Sequence, residues 1–262
     1  MREAFTTRLD KIANIAAIFT CLLVSIWVGI QLRNLQASRS STARNAVENV
    51  EDANVVVSLE GSASLGSPNA KLVILEFSDF QCPFCGRFAR DTYPHLKRDF
   101  VANGKVKYVF RNLPLPIHSL AFKAAEAAEC SRGQNRYWEM HDQLFANQQA
   151  LSEADILKHA DTIQLNRSEF ESCVKGEMRS KIADDQAEAK RLGVQGTPTF
   201  LIGIPLADGR TRILRKLNGA QPYQIFKATL DSLIDKVASL DRTRHAVRTH
   251  PIRTTELSTV RF

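Results

Sequence analysis

Two cysteines separated by two residues, in the tetrapeptide Cys82-Pro83-Phe84-Cys85, have the types and spacing that suggest chemistry. An apolar run at 72–77 precedes them and predicts a buried strand. A helix is predicted over 84–102, with Pro83 at the favoured first helical position. A cysteine at a helix start faces unpaired backbone N–H groups and the positive end of the helix dipole, which stabilise its thiolate. The tetrapeptide is therefore predicted to be a redox pair that takes and gives disulfides.

The remaining cysteines decide between redox chemistry and a zinc site, because a Cys-x-x-Cys pair also begins many zinc sites. Of the five cysteines in the chain, Cys21 lies in an apolar segment and is interpreted as an inert membrane-buried thiol. A zinc site would need the tetrapeptide together with Cys130 and Cys173, but no second Cys-x-x-Cys pair exists. The even number of cysteines outside the apolar segment favours two disulfides in an oxidising compartment. No metal ligands are assigned.

Two further candidates lie around the cysteine pair. Glu76 is the one charged residue in the 72–77 run, six residues before Cys82. A strand buried on both faces would remove this carboxyl from water and raise its pKa, whereas an exposed strand position would not, and both interpretations stay open. Pro198 follows Thr197 directly before an apolar run. His118 and His141 are interpreted as structural residues and are left out of the catalytic set.

The pattern of apolar residues predicts an α/β chain. Apolar runs predict strands at 55–59, 72–77, 106–111, 199–202 and 212–217, and residues 61–68 predict a turn. Between 118 and 192 the pattern predicts helices only, with Ser152 and Asn166 as N-caps and Gly193 as a C-terminal stop. An amphipathic helix is predicted at 221–240.

The N-terminal part contains an uncharged apolar segment. Residues 12–32 carry no charge, and a helix of that length spans about 30 Å, the thickness of a bilayer's hydrocarbon core. A transmembrane anchor is predicted there, with residues 1–11 as a short cytoplasmic N-terminus; a cleaved signal peptide is the alternative. Residues 33–54 are polar and predict a linker.

The net charge of +7 does not point to nucleic acid, because residues 55–240 carry only +3 of it. The C-terminal segment 241–262 is basic and lacks periodicity, so a disordered tail is predicted.

Three motifs together resemble the DsbA-like branch of the thioredoxin superfamily. They are Glu76-Phe-Ser-Asp-Phe-Gln-Cys-Pro-Phe-Cys85, Tyr137-Trp-Glu-Met-His-Asp142 and Gly193-Val-Gln-Gly-Thr-Pro198. The resemblance covers about residues 55–240. It implies a thioredoxin domain formed by 55–117 and 193–240, with an inserted all-helical domain at 118–192.

The resemblance also implies roles for individual residues. Cys82 resembles the exposed nucleophilic cysteine, Cys85 its buried partner, and Glu76 the buried acid that relays protons to the second cysteine. Pro198 is expected to be cis, which would turn the Thr197 backbone toward the active site to pair with a client strand; a trans proline starting an edge strand is the alternative. Thr197, Pro198, Pro83 and Phe84 are the expected substrate-binding residues.

Some relatives carry a second cysteine pair in the helical domain, so the resemblance implies a disulfide between Cys130 and Cys173, which are 43 residues apart. A structural role is expected, worth roughly 3–4 kcal/mol of stability from loop-closure entropy. A redox-active second pair is the alternative.

The expected function is a membrane-anchored thiol–disulfide oxidoreductase that forms disulfides in extracytoplasmic proteins. Its only redox group would be the Cys82–Cys85 disulfide, without a further cofactor. The expected partners are cysteine-containing client proteins, a membrane or soluble redox partner that resets the site, and the lipid bilayer through residues 12–32. The expected location is the bacterial inner membrane, with a single span and a periplasmic catalytic domain. A reductase or isomerase, or a non-catalytic binding module or holdase, are the alternatives.

Overall fold

The computed structural model describes residues 24–33, 47–51 and 54–249 of the 262-residue chain. Contacts divide the chain into two compact units, Met1–Val47 and Glu48–Phe262. In the first unit, residues 24–33 form helix α1, whose apolar side chains, including Trp27, are exposed. Within the residues that the structure describes, no helix is both long and apolar enough to cross a membrane. The anchor predicted at 12–32 lies mostly outside the described residues, as do residues 1–11.

The strands of the described residues form one mixed sheet. They are β1 (Val47–Asn49), β2 (Val56–Ser58), β3 (Ala63–Leu65), β4 (Leu72–Ser78), β5 (Val106–Asn112), β6 (Thr199–Pro205) and β7 (Arg210–Asn218). The order is β1-β7-β6-β4-β5-β3, with β2 also paired to β7. Strand β4 lies in the interior of the sheet, parallel to β5 and antiparallel to β6. All seven residues of β4 are buried, which explains why its sequence is a continuous apolar run.

Two short strands occur where the sequence predicts none. Strand β1 lies in the predicted linker 33–54, and β3 lies in the predicted turn 61–68. Both predictions are wrong at these positions, because an edge strand is defined by backbone pairing with its neighbour rather than by its own apolar pattern. The Arg215 side chain of β7 fixes the first of these segments by donating to the Asn49 and Glu51 side chains, at 2.9 and 2.6 Å.

The helical region after the cysteine pair is interrupted, whereas the sequence predicts one helix over 84–102. Helix α2 (Pro83–Asp91) ends at Thr92, α3 (Tyr93–Leu96) follows, and a π-helical turn occupies Lys97–Val101. Pro94 explains the break, since it has no backbone N–H to continue the α2 hydrogen-bond pattern. At the break, the Thr92 hydroxyl donates to the Gln221 carbonyl at 3.1 Å.

Five helices lie between β5 and β6, in the segment where the sequence predicts helices only. They are α4 (Ala121–Arg132), α5 (Tyr137–Ala146), α6 (Glu153–Thr162), α7 (Arg167–Cys173) and α8 (Arg179–Arg191). The predicted caps are present: the Ser152 and Asn166 side chains accept from backbone N–H groups of Asp155 and Glu169. Asn112 at the end of β5 joins this segment to the sheet, because its side chain donates to Glu129 at 2.8 Å and its backbone N–H to Asp185 at 3.2 Å.

The closing helix α9 (Tyr223–Thr249) extends past the predicted end at residue 240. The disorder predicted for 241–262 is therefore wrong for residues 241–249, while 250–262 lie outside the described residues. Asp241–Thr249 contains no glycine or proline. The first residue that disfavours a preceding helical residue is Pro251, so nothing in the sequence stops α9 before that point.

Candidate active site

Cys82 lies at the junction of β4 and α2, as the sequence predicts. It is the N-cap residue of α2 in an extended conformation, and Pro83 occupies the first helical turn. Its carbonyl accepts the first helical hydrogen bond, from the Gly86 N–H at 3.0 Å. Cys82 and Cys85 are both free thiols, so the structure shows the reduced form of the pair.

The position of Cys82 lowers its pKa to about 5. A hydrogen bond from the Cys85 thiol is the largest cause. Burial opposes this effect, and the Thr197 side chain and the backbone N–H groups of Cys85 and Phe84 add to the lowering. These donors favour the thiolate, so Cys82 is largely ionised at neutral pH and is suited to nucleophilic attack on a disulfide.

Cys82 is less accessible than the resemblance implies. Only 3% of the residue is exposed, whereas an exposed nucleophile was expected. The loop before β6 covers it: the Thr197–Pro198 peptide bond is cis, and the Thr197 carbonyl oxygen lies 3.6 Å from the Cys82 sulfur. The backbone of Thr197 therefore faces the thiol, as a cis bond at this position predicts.

The environment of Cys85 differs from that of Cys82. Cys85 is fully buried, and burial raises the pKa of its thiol well above the usual value, with Cys82 and Glu76 raising it further. Glu76 is 1% exposed on the buried strand β4, and burial raises its pKa to about 7 although a hydrogen bond from Tyr108 opposes the rise. The sequence left a buried and an exposed strand position open for Glu76, and in the structure its side chain is buried.

A loop beside the cysteine pair contributes groups that the sequence did not indicate. The Asp79 carboxylate accepts from the Leu115 N–H at 2.8 Å and pairs with the His118 ring at 2.7 Å. The Gln81 side chain accepts from the Leu120 N–H at 2.7 Å. These contacts hold the 115–120 loop beside the segment that leads into α2. His118 thus joins the loop to Asp79.

Exposed apolar side chains surround this part of the molecule. Phe84 is 54% exposed, and in the neighbouring loop Ile117 is 82% exposed and Leu120 36% exposed. Large apolar groups grouped at the surface indicate an interaction site more often than a chance exposure.

The second cysteine pair is joined by a disulfide. Cys130 at the end of α4 and Cys173 at the end of α7 form a bond of 2.02 Å. Because these sulfurs are bonded to each other, the four-cysteine zinc site considered above does not form. No group of three or more metal-ligating side chains occurs among the described residues.

Three residues that contact the site were not predicted from the sequence, namely Tyr108, Asp79 and Gln148. Tyr108 donates to Glu76, Asp79 positions the adjacent loop, and the Gln148 side chain donates to the Phe80 and Cys82 carbonyls. Asp79 lies in the matched motif, which is a signal that could have found it. Gln148 lies 66 residues from Cys82, and no local pattern marks it.

Comparisons with known proteins agree with this geometry. The sequence profile of the Thioredoxin family matches residues 58–212. The structure is similar to that of alpha-DsbA1 from Wolbachia pipientis, with a TM-score of 0.60, 25% identity and coverage of 69% of this chain and 95% of that one. In sequence the chain is 29% identical over 154 residues to the probable disulfide bond formation protein D of Bacillus cereus, covering 55% of this chain and 71% of that protein.

A second kind of relative is much longer than the matched region. The chain is 34% identical over 193 residues to the Na(+)/H(+) antiporter NhaA 3 of Salinispora tropica, which covers 73% of this chain. The chain spans 28% of the length of that antiporter.

Fold and site together define a thioredoxin-like domain of the DsbA-like class. The chain belongs to the thioredoxin family. The predicted thioredoxin-like α/β fold and the predicted DsbA-like class are both confirmed.

Proposed function

We propose that this protein is a membrane-anchored thiol–disulfide oxidoreductase that forms disulfides in extracytoplasmic proteins. The observation that carries the proposal is the asymmetry of the pair: the Cys82 thiolate is stabilised at a helix start, whereas burial destabilises the thiolate of Cys85 and keeps it a thiol. Oxidation and reduction of these two sulfurs would supply the redox chemistry, without a further cofactor.

The reaction starts from the oxidised Cys82–Cys85 disulfide. A client thiolate attacks the Cys82 sulfur, the bond between the two cysteines breaks, and a mixed disulfide joins Cys82 to the client. Cys85 leaves as a thiolate and takes up a proton. A second client thiolate then attacks the client sulfur of the mixed disulfide and releases the Cys82 thiolate. The client loses two electrons to form its disulfide, and the cysteine pair gains them.

Glu76 is the proposed source of the proton for Cys85. Its pKa of about 7 means that a substantial fraction is protonated near neutral pH, although the carboxyl lies in the protein interior. The negative charge of Glu76 raises the pKa of Cys85, because two negative charges close together repel each other. This coupling supports the transfer of one proton between the two groups. A buried acid tuned to the working pH is the arrangement that general acid catalysis requires.

Client proteins are proposed to bind beside the cysteine pair, next to the loop before β6 and the exposed side chain of Phe84. The Thr197 carbonyl lies 3.6 Å from the Cys82 sulfur, Pro198 follows Thr197 in the same loop, and Pro83 follows Cys82 in the first turn of α2. The exposed apolar side chains of Phe84, Ile117 and Leu120 suit unfolded clients, which present apolar segments.

The stabilised Cys82 thiolate favours oxidation of clients over reduction. A thiolate held by hydrogen bonds stabilises the reduced pair, which makes the disulfide a stronger oxidant. The Pro83-Phe84 dipeptide lacks the histidine found between the cysteines of the strongest oxidants of this kind, so a reductase or isomerase on the same site remains the alternative.

An anchor at residues 12–32 is proposed to hold the domain at the bacterial inner membrane, facing the periplasm. Exposed apolar side chains on α1, such as Trp27 and Ile30, support burial of this segment in lipid. The Cys130–Cys173 disulfide supports an oxidising compartment, because such bonds are rare in the cytosol. A membrane or soluble redox partner would reoxidise the pair there.

The deciding experiment measures the reduction potential of the Cys82–Cys85 pair in glutathione buffers, together with oxidation of a reduced unfolded client. A potential near those of strong oxidants, about −120 mV, with rapid client oxidation is expected. A potential near −270 mV, that of thioredoxin, would instead indicate a reductase. A Cys82→Ser protein that keeps its biological effect would favour the non-catalytic binding module.

A further inference from the structure

A glutamine from the inserted helices contacts the backbone of the redox site. The Gln148 side-chain amide donates to the Cys82 carbonyl at 2.9 Å and to the Phe80 carbonyl at 2.8 Å. These two carbonyls flank Gln81, so a single amide group spans the loop between β4 and α2. The Cys82 carbonyl also accepts the Gly86 N–H, which uses both of its acceptor positions.

The turn that carries Gln148 is itself fixed. The Asn147 side chain donates to the Gln143 carbonyl at 2.8 Å and closes the end of α5. The Ala150 N–H donates to the Asn147 carbonyl at 2.8 Å, and the buried His159 ring donates to the Ala150 carbonyl at 2.9 Å. Gln148 therefore extends from an anchored turn rather than from a free loop, and little conformational entropy is lost when it makes its contacts.

Phe80 provides a second link between the same loop and the inserted helices. Its ring packs against Phe145 of α5 with centroids 4.8 Å apart, and against Phe110 of β5 at 5.2 Å. The loop is thus held through a buried ring on one side and through the Gln148 amide at the backbone.

Gly86 leaves the space that the Gln148 side chain occupies. A Cβ atom at position 86 would overlap the Gln148 amide oxygen. Because that amide is the far end of a flexible side chain, an added methyl group would displace the glutamine and leave the helix in place. Glycine immediately after Cys85 is therefore a requirement of the Gln148 contact, since Gly86 has a helical conformation that any residue can adopt.

We propose that Gln148 is a positioning residue for the redox pair, which holds the Cys82 backbone at the start of α2 so that its sulfur stays where the thiolate is stabilised. The proposal rests on the proposed function of Cys82 as the reactive thiol. Without the amide, the loop at 80–82 loses its two side-chain donors, and the Cys82 sulfur spends less time near the N–H groups of the helix start. The reduced pair then loses part of its stabilisation, and the oxidised pair is favoured.

The test compares Gln148→Leu, which keeps the volume and removes the donor, with Gln186→Leu as a matched control. Gln186 also donates to one backbone carbonyl, that of Pro114 at 3.0 Å, but outside the redox loop. In Gln148→Leu the equilibrium constant with glutathione is expected to shift about three- to tenfold toward the protein disulfide, the range that loss of a hydrogen bond gives. A tenfold shift equals about 30 mV. The pKa of Cys82, measured by thiolate absorbance, is expected to rise, and both quantities are expected to stay unchanged in Gln186→Leu.

Gly86→Ala tests the same contact without deleting the glutamine. This variant is expected to reproduce the shift of Gln148→Leu, and the double variant is expected to shift no further than either single one, because both changes remove one contact. If Gln148→Leu does not fold, Gly86→Ala decides alone.

Two results would overturn the proposal. One is an unchanged pKa and equilibrium constant in Gln148→Leu, or in Gly86→Ala where the first does not fold; the other is strict additivity in the double variant. Failure of the proposed function would give a different result. The wild-type protein would then not exchange disulfides, and the Cys82→Ser variant would behave like the wild type.

Discussion

At the scale of single residues, the two thiols of the pair are three positions apart and have opposite environments. Cys82 receives hydrogen bonds at a helix start, which lower its pKa to about 5, whereas burial raises the pKa of Cys85. Glu76 is the third titratable group of the site, and burial raises its pKa to about 7. Three groups that titrate at different pH values let one site hold a nucleophile, a leaving thiol and an acid at the same pH.

The first prediction concerns which thiol reacts. In the reduced protein, iodoacetamide is expected to modify Cys82 with a rate that rises through a midpoint near pH 5, and to leave Cys85 unmodified at pH 6. Mass spectrometry of the digested protein measures the two sites separately. In Cys85→Ala the midpoint for Cys82 is expected to move to higher pH, since the Cys85 thiol is the largest cause of the lowering. Equal modification of both cysteines at pH 6 would contradict the assignment.

The second prediction concerns Glu76 and stability. Its folded-state pKa of about 7 exceeds the ordinary glutamate value of 4.5, so the stability that the protonated carboxyl contributes is fully present below pH 4.5 and is lost as the pH rises through 7. Glu76→Gln is expected to remove this dependence and to raise the free energy of unfolding of the reduced protein by about 3 kcal/mol at pH 8. Urea unfolding of both proteins between pH 4 and pH 8 measures this free energy.

Tyr108→Phe is the matched control for this prediction. The Tyr108 hydrogen bond lowers the pKa of Glu76, so its removal is expected to move the pH transition above 7 instead of abolishing it. Equal pH profiles for wild type and Glu76→Gln would show that the Glu76 carboxyl does not titrate in this range.

At the scale of elements, the active site is built from four separate pieces of chain. Strand β4 carries Glu76, the start of α2 carries the cysteine pair, the loop before β6 carries Thr197 and Pro198, and the turn after α5 carries Gln148. The sheet brings the first three together, because β4 lies between β5 and β6. The inserted helices supply the fourth, and a disulfide joins α4 to α7 within them.

The third prediction separates that disulfide from the chemistry. Replacing Cys130 and Cys173 with alanine is expected to lower the free energy of unfolding by about 3–4 kcal/mol, since the closed loop of 43 residues is lost. Disulfide exchange by Cys82 is expected to remain largely intact, as neither cysteine lies at the start of a helix. Cys82→Ser should do the reverse, abolishing exchange with little change in melting temperature. A folded alanine variant that cannot complete turnover would show that the second pair carries electrons.

At the scale of the whole molecule, one thioredoxin-type sheet and its inserted helices form a compact unit, and the N-terminal segment forms another. The apolar side chains of α1 are exposed, in contrast to those of every strand in the sheet interior. This contrast supports the proposal that α1 belongs to a membrane anchor.

The fourth prediction tests that placement in cells. The full chain is expected to stay with membranes after alkaline carbonate extraction, and protease added to spheroplasts is expected to digest the region from residue 55 onward. Leu23→Arg/Val24→Arg is expected to release the protein, because each charge at the centre of a span is unfavourable by about 2.5–3.5 kcal/mol. The control variant Ser40→Arg/Ser41→Arg adds the same charge outside the apolar segment, and it is expected to stay with the membranes. Complete protection from protease would contradict the periplasmic orientation.

The sequence by itself determined the features that depend on neighbouring residues. The buried strand before the cysteines, Pro83 in the first helical turn, and the caps at Ser152 and Asn166 follow from local periodicity and local hydrogen bonding, and the structure contains all of them. The same local signals failed where pairing with a distant strand creates the element, as for β1. The break at Pro94 is different, because the proline is a local signal that the prediction of one helix over 84–102 did not use.

Only the tertiary structure decided how distant residues meet around the thiol. The Thr197 carbonyl is 115 residues from Cys82 in sequence, Gln148 is 66, and Tyr108 is 32 from Glu76. The strand order β6-β4-β5 and the packing of α5 against the loop bring these residues together, and no local sequence pattern encodes either. The low exposure of Cys82 has the same origin, since the loop before β6 places the Thr197 carbonyl against its sulfur. A thiol at a helix start is a local property, while its access to clients depends on the sheet.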